Sequence, residues 1–193
     1  MPLARRARLD NALRMDDIAL SIRQARPSDA ADLARIYIES WQDTYAGLLP
    51  HSLLAAMSHK GQAARWQQTM RGPGAVLIAE DAQLGAVGLA SMGPARDKGL
   101  ELDGEIYTLY VDPGFLGRGT GRMLMAASFA TLTEKKYRSC LIWAHARNNA
   151  CFFYEAMGGR RVGNRVTRIM GEETPEIAFG WKRLMVGEKA LRS

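Results

Sequence analysis

The stretch EIYTLYVDPGFLGRGTGRMLM, residues 105–125, decides the fold of this chain. Its opening, EIYTLYV, is rich in β-branched and aromatic residues and predicts a strand, whereas the residues after the glycines predict a helix. Gly117, Gly119 and Gly121 lie at the junction, where glycine lets the backbone pass close to a ligand. Because the first amides of a helix have no internal partner, this turn predicts an anion site that would suit a diphosphate.

Two commoner phosphate-binding loops do not fit this turn. A P-loop needs a lysine directly after its last glycine, and Thr120 stands at that position. The dinucleotide motif needs two residues between its second and third glycines, but Thr120 alone separates Gly119 from Gly121. Taken by itself, the turn predicts either an anion site, to which Arg118 and Arg122 add positive charge, or merely a tight connection.

A second motif follows the next predicted strand. Residues 140–146 read CLIWAHA, and residues 148–159 read NNACFFYEAMGG. Together with the glycine-rich turn, this segment resembles the GNAT family of acetyl-CoA-dependent N-acetyltransferases. The cofactor motif of that family is R/Q-x-x-G-x-G/A, and its later motif is N-x-x-x-x-F/L-Y-E-x-L/M-G-F/G. The resemblance covers about residues 20–184, including an opening helix followed by GLLP and the closing EIAFGW.

The resemblance implies that acetyl-CoA is the co-substrate and lies between two splayed central strands. The residues implied to bind it are Leu109, Tyr110, Val111, Gly117, Arg118, Gly119, Thr120, Gly121, Arg122 and Asn148. The chain departs from the family at Leu116, where Arg or Gln usually helps to hold the diphosphate loop. Main-chain amides are then expected to provide most of the contact, with Arg118 compensating in part.

The resemblance also assigns the catalytic groups. Tyr154 matches the usual general acid of the family, and a phenol with a pKa near ~10 suits protonation of a thiolate leaving group. Glu105 is the candidate base, acting through water, and Asp103 is the alternative. Competing interpretations are a core tyrosine for Tyr154 and a solvated strand-edge carboxylate for Glu105. Asn148 can be a helix cap as well as a ligand of the pantetheine arm.

Binding of the acceptor is predicted for Trp41, Tyr45 and His145. Trp41 and Tyr45 end the first predicted helix, and in the family the loop after that helix roofs the acceptor site. A stripe of core side chains explains the two aromatic residues equally well. His145 ends the splayed strand, where it either faces the cleft or is a structural histidine. The acceptor itself is expected to be a primary amine of a small molecule or a peptide, and the resemblance suggests a homodimer.

Composition limits the remaining classes of function. The formal net charge of +6 fits an anionic partner, but basic and aromatic residues do not alternate in a stripe, so no nucleic-acid partner is expected. No apolar run approaches the ~18 residues of a membrane helix, and the opening MPLARRARLD has no apolar signal segment. The expected location is therefore the cytoplasm, with no membrane partner. The 3 histidines lack metal-site spacing, and the 2 cysteines are expected to be buried, so no metal is expected.

The predicted fold is a single α/β domain over residues 19–186, between a disordered extension, 1–18, and a tail, 187–193. The order of elements is β-α-α-β-β-β-α-β-α-β-β, with the second helix over 52–70 broken near Gly61 and a GEETP turn between the last two strands. The resemblance implies a GNAT-like, mostly antiparallel sheet of about six to seven strands flanked by about four helices and splayed between two central strands.

Two functions follow from these patterns. The first is an N-acetyltransferase that moves an acetyl group from acetyl-CoA to a primary amine by direct attack in a ternary complex. The second is a non-catalytic module that binds acyl-CoA without turnover. Leu116 favours the module, whereas Tyr154 and Glu105 favour the enzyme.

Overall fold

The computed structural model of the chain describes residues 20–169 and 171–184. The predicted extension, residues 1–18, and the predicted tail, residues 187–193, lie outside the described residues, so both stay predictions. The described residues form one mixed sheet with helices on its two faces.

The sheet contains seven strands among the described residues, in the spatial order β1-β2-β3-β4-β5-β7-β6. The strands are β1 (Leu20–Gln24), β2 (Ala75–Asp81), β3 (Gly85–Pro94), β4 (Gly104–Val111), β5 (Cys140–His145), β6 (Arg160–Ile169) and β7 (Glu172–Trp181). The helices are α1 (Ala30–Thr44), α2 (His51–Ala55), α3 (His59–Met70), α4 (Thr120–Glu134) and α5 (Ala150–Ala156). The central β4–β5 pair is parallel and the other neighbouring pairs are antiparallel. This architecture confirms the predicted fold class.

The two central strands separate part of the way along their length. Strands β4 and β5 are paired only over residues 104–106 and 140–142. In the pairing with β3, Tyr107 is an extra residue in β4, which forms a β-bulge and bends the strand at this point. Beyond the bulge, the carboxyl halves of β4 and β5 enclose a wedge-shaped opening in the sheet.

Helix α4 covers one face of the sheet and holds the larger core. Leu124, Met125 and Leu132 are 0% exposed in this core. Burying a side chain of this size contributes about 1.5–3 kcal/mol to folding. Because α4 is fixed in this way and follows β4 closely in sequence, its N-terminus lies at the open end of the wedge.

The opposite face is covered unevenly. Leu33 of α1 and Trp66 of α3 are buried against Ile78 and Leu89 in the half of the sheet that contains β1 to β3. In the other half, the connection between β3 and β4 covers β5 instead, and its Leu102 packs on Leu141. This face is therefore open next to the wedge.

Two local predictions were wrong in their boundaries. The helical stretch over residues 52–70 is broken as predicted, but at residues 56–58 rather than near Gly61, because the hydroxyl of Ser58 accepts a hydrogen bond from the main-chain N–H of Gly61 at 3.1 Å and begins the second helix. The closing turn is shorter than GEETP, since Ile169 pairs with Glu172 and β7 begins inside the predicted turn. Gly171, at φ +92°, supplies the positive φ that such a short hairpin connection needs.

Candidate active site

The glycine-rich turn leaves open space at the N-terminus of α4. Gly117 and Gly119 have φ values of +74° and +82°, and a Cβ atom built at either residue meets nothing within 4 Å. The first hydrogen bond of the helix runs from Met123 N–H to Gly119 O at 3.0 Å, so the N–H groups of Thr120 and Gly121 precede the helical ladder. These amides and the helix dipole make a site for an anion.

The Thr120 hydroxyl adds a second polar group to this site. Thr120 is 1% exposed, and its Oγ1 has no hydrogen-bond partner within the described part of the chain. Leaving a buried hydroxyl unpaired costs about 1–3 kcal/mol. An oxygen-rich anion at the turn would satisfy it. Arg118 borders the same turn, with its guanidinium 5.1 Å from the ring centroid of Phe115.

The turn is anchored by a residue that the sequence analysis did not single out. Asp112 is buried, and its Oδ1 accepts a hydrogen bond from the main-chain N–H of Gly114 at 3.0 Å. Its Oδ2 lies 3.3 Å from Nη1 of Arg35, whose Nη2 donates to the carbonyl of Ala86 at 2.7 Å. Leu116, by contrast, is 58% exposed. The loop is thus held by Asp112 and by Arg35 of helix α1.

The splayed end of β4 presents main-chain groups to the wedge. Tyr110 pairs with Leu89 of β3, and Asp112 N–H donates to Val87 O at 2.8 Å. Since successive residues of a strand point their main-chain groups to opposite sides, those of Leu109 and Val111 point away from β3 and into the wedge. The Val111 carbonyl accepts a hydrogen bond from the Ser40 hydroxyl at 3.2 Å. The main-chain N–H and C=O of Leu109 both point toward the opening.

Tyr154, the predicted acid, is buried beside the wedge. It lies on α5, is 4% exposed, and packs its ring against Phe179 with a centroid distance of 5.6 Å. Burial raises the pKa of this phenol above its usual value, and the neighbouring Cys151 and Tyr45 act in the same direction. The hydroxyl therefore keeps its proton throughout the neutral pH range. It lies close enough to Tyr110 to contribute to raising the pKa of that residue, which burial raises most.

Asn148 begins the segment that leads into α5. Its Oδ1 accepts a hydrogen bond from the N–H of Ala150 at 2.8 Å, and its own N–H donates to His145 O at 2.9 Å. The side chain therefore caps the helix. Because the cap uses only the oxygen, the Nδ2 group can still donate to another partner.

Glu105, the predicted base, is a buried ion-pair partner rather than a solvated edge carboxylate. It is 1% exposed at the paired end of β4. Its Oε1 accepts hydrogen bonds from Nε and Nη2 of Arg96, and its Oε2 accepts one from the Arg96 main-chain N–H at 2.8 Å. A carboxylate has about four acceptor sites, so one site on Oε2 is left for a water or a substrate.

Asp103, the alternative base, has a structural role. Its Oδ1 accepts from the N–H of Ser139 at 2.8 Å and from the Ser139 hydroxyl at 2.6 Å, and its Oδ2 accepts from the N–H of Arg138 at 2.9 Å. Burial acts to raise the pKa of Asp103, but these hydrogen bonds outweigh it and lower the pKa. The carboxylate fastens the connection before β5 to the start of β4.

The three residues predicted to bind the acceptor lie together. Trp41 and Tyr45 are less than a tenth exposed and their rings are 4.6 Å apart, with His145 at 6.1 Å from Tyr45 and Tyr110 beside them. We refer to Trp41, Tyr45, Tyr110 and His145 as the acceptor cluster. Burial, helped by the charge of Glu176, raises the pKa of Tyr45 to about 12. The cluster borders the wedge on the face that carries α1.

The protonation state of His145 is fixed by its surroundings. Its Nδ1 accepts a hydrogen bond from the main-chain N–H of Arg147 at 3.1 Å, so a neutral ring carries its proton on Nε2. Burial lowers the pKa of this imidazole, and the charge of Arg147 lowers it further. His145 is therefore a neutral hydrogen-bond donor rather than a base.

Neither a metal centre nor a membrane span is found in the described part of the chain. Within residues 20–169 and 171–184, no three His, Cys, Asp or Glu side chains are grouped so that they could hold a metal ion. None of the helices in these ranges combines the length and the apolar composition that crossing a membrane requires.

Comparisons with known proteins agree with this geometry. Residues 72–158 match a family model described as an acetyltransferase (GNAT) domain. The uncharacterized N-acetyltransferase YuaI of Bacillus subtilis is 29% identical over 166 residues, which covers 86% of this chain and 94% of YuaI.

Solved structures share the fold. A ribosomal-protein-alanine N-acetyltransferase from Brucella melitensis is 24% identical with a TM-score of 0.66, covering 83% of this chain and 98% of that one. YncA from Salmonella typhimurium, solved with its cofactor acetyl-CoA, is 18% identical with a TM-score of 0.65, and the match covers 87% of this chain and 95% of YncA.

The solved N-acetyltransferase structures share the fold that contains this splayed mixed sheet. The family model covers the strands, the turn and the helix that build this feature. The chain is thus similar to GNAT N-acetyltransferases in its family-model match, in its relative YuaI and in its fold.

Proposed function

We propose that this protein is a GNAT enzyme that transfers an acetyl group from acetyl-CoA to a primary amine by direct attack of the amine in a ternary complex. The observation that carries the proposal is the open turn before α4. There the N–H groups of Thr120 and Gly121 and the unpartnered hydroxyl of Thr120 face a space that no Cβ fills. These groups fit a diphosphate, which is the anionic centre of coenzyme A.

Named residues would hold each part of the cofactor. Gly117 to Arg122 would bind the diphosphate through main-chain amides, and the main chain of Leu109 and Val111 would pair with the pantetheine arm like an added strand. The amide nitrogen of Asn148 would donate to the same arm. When bound, acetyl-CoA supplies a thioester, which is an activated acyl group with a thiolate as its leaving group.

Two side chains of the chain would then move protons. Tyr154 holds a proton at its phenol oxygen because burial raises its pKa, and it would donate that proton toward the leaving sulfur. Glu105 would accept the proton of the attacking amine at the remaining acceptor site of Oε2, through a water molecule. Trp41 and Tyr45 would exclude bulk water from the acceptor amine on one side.

The role of Glu105 can be separated from that of Asp103. Replacing Glu105 with glutamine is expected to lower kcat/KM by about 10²-fold, the usual size of a general-base contribution. Asp103→Asn is the matched control, because it removes hydrogen bonds near β4 without a role in the reaction. It should lower the unfolding temperature and keep the wild-type kcat/KM. An unchanged kcat/KM for Glu105→Gln would remove Glu105 from the mechanism.

Turnover itself separates the enzyme from a binding module. The protein is incubated with acetyl-CoA and a panel of primary amines, and free thiol is followed over time. Amine-dependent release of thiol supports the proposal. Tight binding of coenzyme A by calorimetry with no release across small amines, polyamines and peptide N-termini would favour the non-catalytic module instead. The homodimer and the cytoplasmic location stay predictions from the sequence.

A further inference from the structure

Two arginines reach over the face of the sheet next to the acceptor cluster. Arg96, in the connection between β3 and β4, lies with its guanidinium 4.5 Å from the ring centroid of Tyr107. Arg165, on β6, extends across β7 and lies 3.9 Å above the ring of Trp143. Neither residue was singled out from the sequence.

The two guanidinium groups contact the two central strands near the closed end of the wedge. Arg96 is bonded to Glu105 in the paired segment of β4. Arg165 is stacked on Trp143 of β5, the first residue beyond the paired segment. Trp143 and His145 are two residues apart on one strand, so they share the face that carries the acceptor cluster. The arginines therefore lie near the closed end of the wedge, on the face that carries the acceptor cluster.

Both arginines have hydrogen-bond donors to spare. Arg96 uses its main-chain N–H, Nε and Nη2 for Glu105, and Arg165 uses Nε for Glu176 at 2.7 Å. Within the described ranges, Nη1 of Arg96 and both terminal nitrogens of Arg165 make no hydrogen bond. The side chains are 63% and 39% exposed, so these nitrogens can be reached from solvent.

The carboxylates of this face are already engaged. Glu105 accepts three hydrogen bonds from Arg96, and Glu176 forms its ion pair with Arg165. The charge of Glu176 also contributes to raising the pKa of Arg96, so the two ion pairs are neighbours. Because each of these carboxylates is already paired with an arginine, a second ammonium group of a polyamine would find no unpaired negative charge on either one, whereas an anionic group would find unused donors.

We propose that the acceptor is a small primary amine that also carries a carboxylate, as an α-amino acid does, and that Arg165, assisted by Arg96, binds this carboxylate. The proposal rests on the proposed acetyl transfer and names its substrate class. Guanidinium binds carboxylate through two parallel N–H···O bonds, and the stacking on Trp143 fixes the plane of Arg165 for that geometry. The amine of such an acceptor would then be held beside the wedge.

The test compares matched acceptors. Thiol release from acetyl-CoA is measured for the proteinogenic L-amino acids, each alongside its decarboxylated amine and its α-amide, for example phenylalanine with phenethylamine and phenylalaninamide. The wild-type protein is expected to prefer the carboxylate-bearing member of at least one set by about 10-fold or more in kcat/KM. In Arg165→Gln the ratio of kcat/KM values between the carboxylate-bearing acceptor and its partners should fall to about one. Arg165→Lys should restore part of the preference, because lysine returns the positive charge but not the planar pair of N–H donors.

Arg168→Gln is the matched control. It removes the same charge from the same strand, but Arg168 is three residues away and 75% exposed in a loose ion pair with Glu173. It should keep the wild-type preference, and calorimetry with coenzyme A should show that each variant is folded. A wild-type preference for the amide, the decarboxylated amine, a polyamine or a peptide would overturn this inference but leave the proposed acetyl transfer intact. A preference for the carboxylate that survives Arg165→Gln would do the same. Failure of every amine to release thiol would overturn the proposed acetyl transfer itself.

Discussion

Replacing Tyr154 with phenylalanine lowers kcat by about 10²- to 10⁴-fold, the range that a general acid contributes, and leaves the affinity for coenzyme A nearly unchanged. The reason is local. The phenol is buried at the wedge, holds its proton because its pKa is raised, and adjoins Tyr45 and Tyr110. Single-turnover rates and the dissociation constant for coenzyme A, measured on the same preparation, separate the chemical step from binding.

Tyr137→Phe is the control for this substitution. Tyr137 is a half-buried tyrosine that, like Tyr154, packs against the larger core, but it lies next to Gly104 at the paired end of β4, away from the wedge. It should retain the wild-type kcat. If Tyr154→Phe also retained it, the leaving thiolate would be protonated by another donor, such as solvent, and the acid assignment would be wrong.

Replacing Gly119 with valine is expected to weaken the binding of coenzyme A by about 10²-fold or more. At φ +82° a β-branched residue is strained by about 1–3 kcal/mol, so the turn must change its path. The new side chain would also fill the open space before α4. Losing one or two charge-assisted hydrogen bonds to the diphosphate costs about 1.5–3 kcal/mol each, which corresponds to the stated loss of affinity.

Gly85→Val offers a closely matched control for strain. Gly85 has φ +75°, and a Cβ atom built there also meets nothing within 4 Å, yet it lies in the hairpin between β2 and β3. The two variants should lose similar stability in chemical denaturation, but only Gly119→Val should lose coenzyme A binding by calorimetry. Equal affinities for the two variants would show that the turn has no part in binding the cofactor.

The main features of the fold and of the turn could be predicted from local sequence. Gly117, Gly119 and Gly121 stand between a β-branched run and an apolar helical pattern, and this order is enough to place an open helix N-terminus. The later motif predicted α5 and its Asn148 cap in the same way. Turn and cap chemistry acts over a few residues, so it can be read directly from the order of the residues.

Pairings between distant residues could not be predicted. Asp112 meets Arg35 across 77 positions of sequence, and Arg165 reaches Trp143 only because β6 and β5 lie on either side of β7. A sequence with 26 basic residues does not indicate which of them pairs with Glu105. Such contacts depend on the register of the strands, and a shift of one residue would move every side chain to the other face.

The central claim is that the main-chain amides at the start of α4 bind the diphosphate of coenzyme A. A crystal structure of the complex with coenzyme A tests it most directly. The account predicts diphosphate oxygens about 2.7–3.2 Å from the main-chain nitrogens of residues 119–122, with the Thr120 hydroxyl bonded to one of them. A diphosphate bound elsewhere on the chain, with the turn closed over by its own side chains, would contradict it.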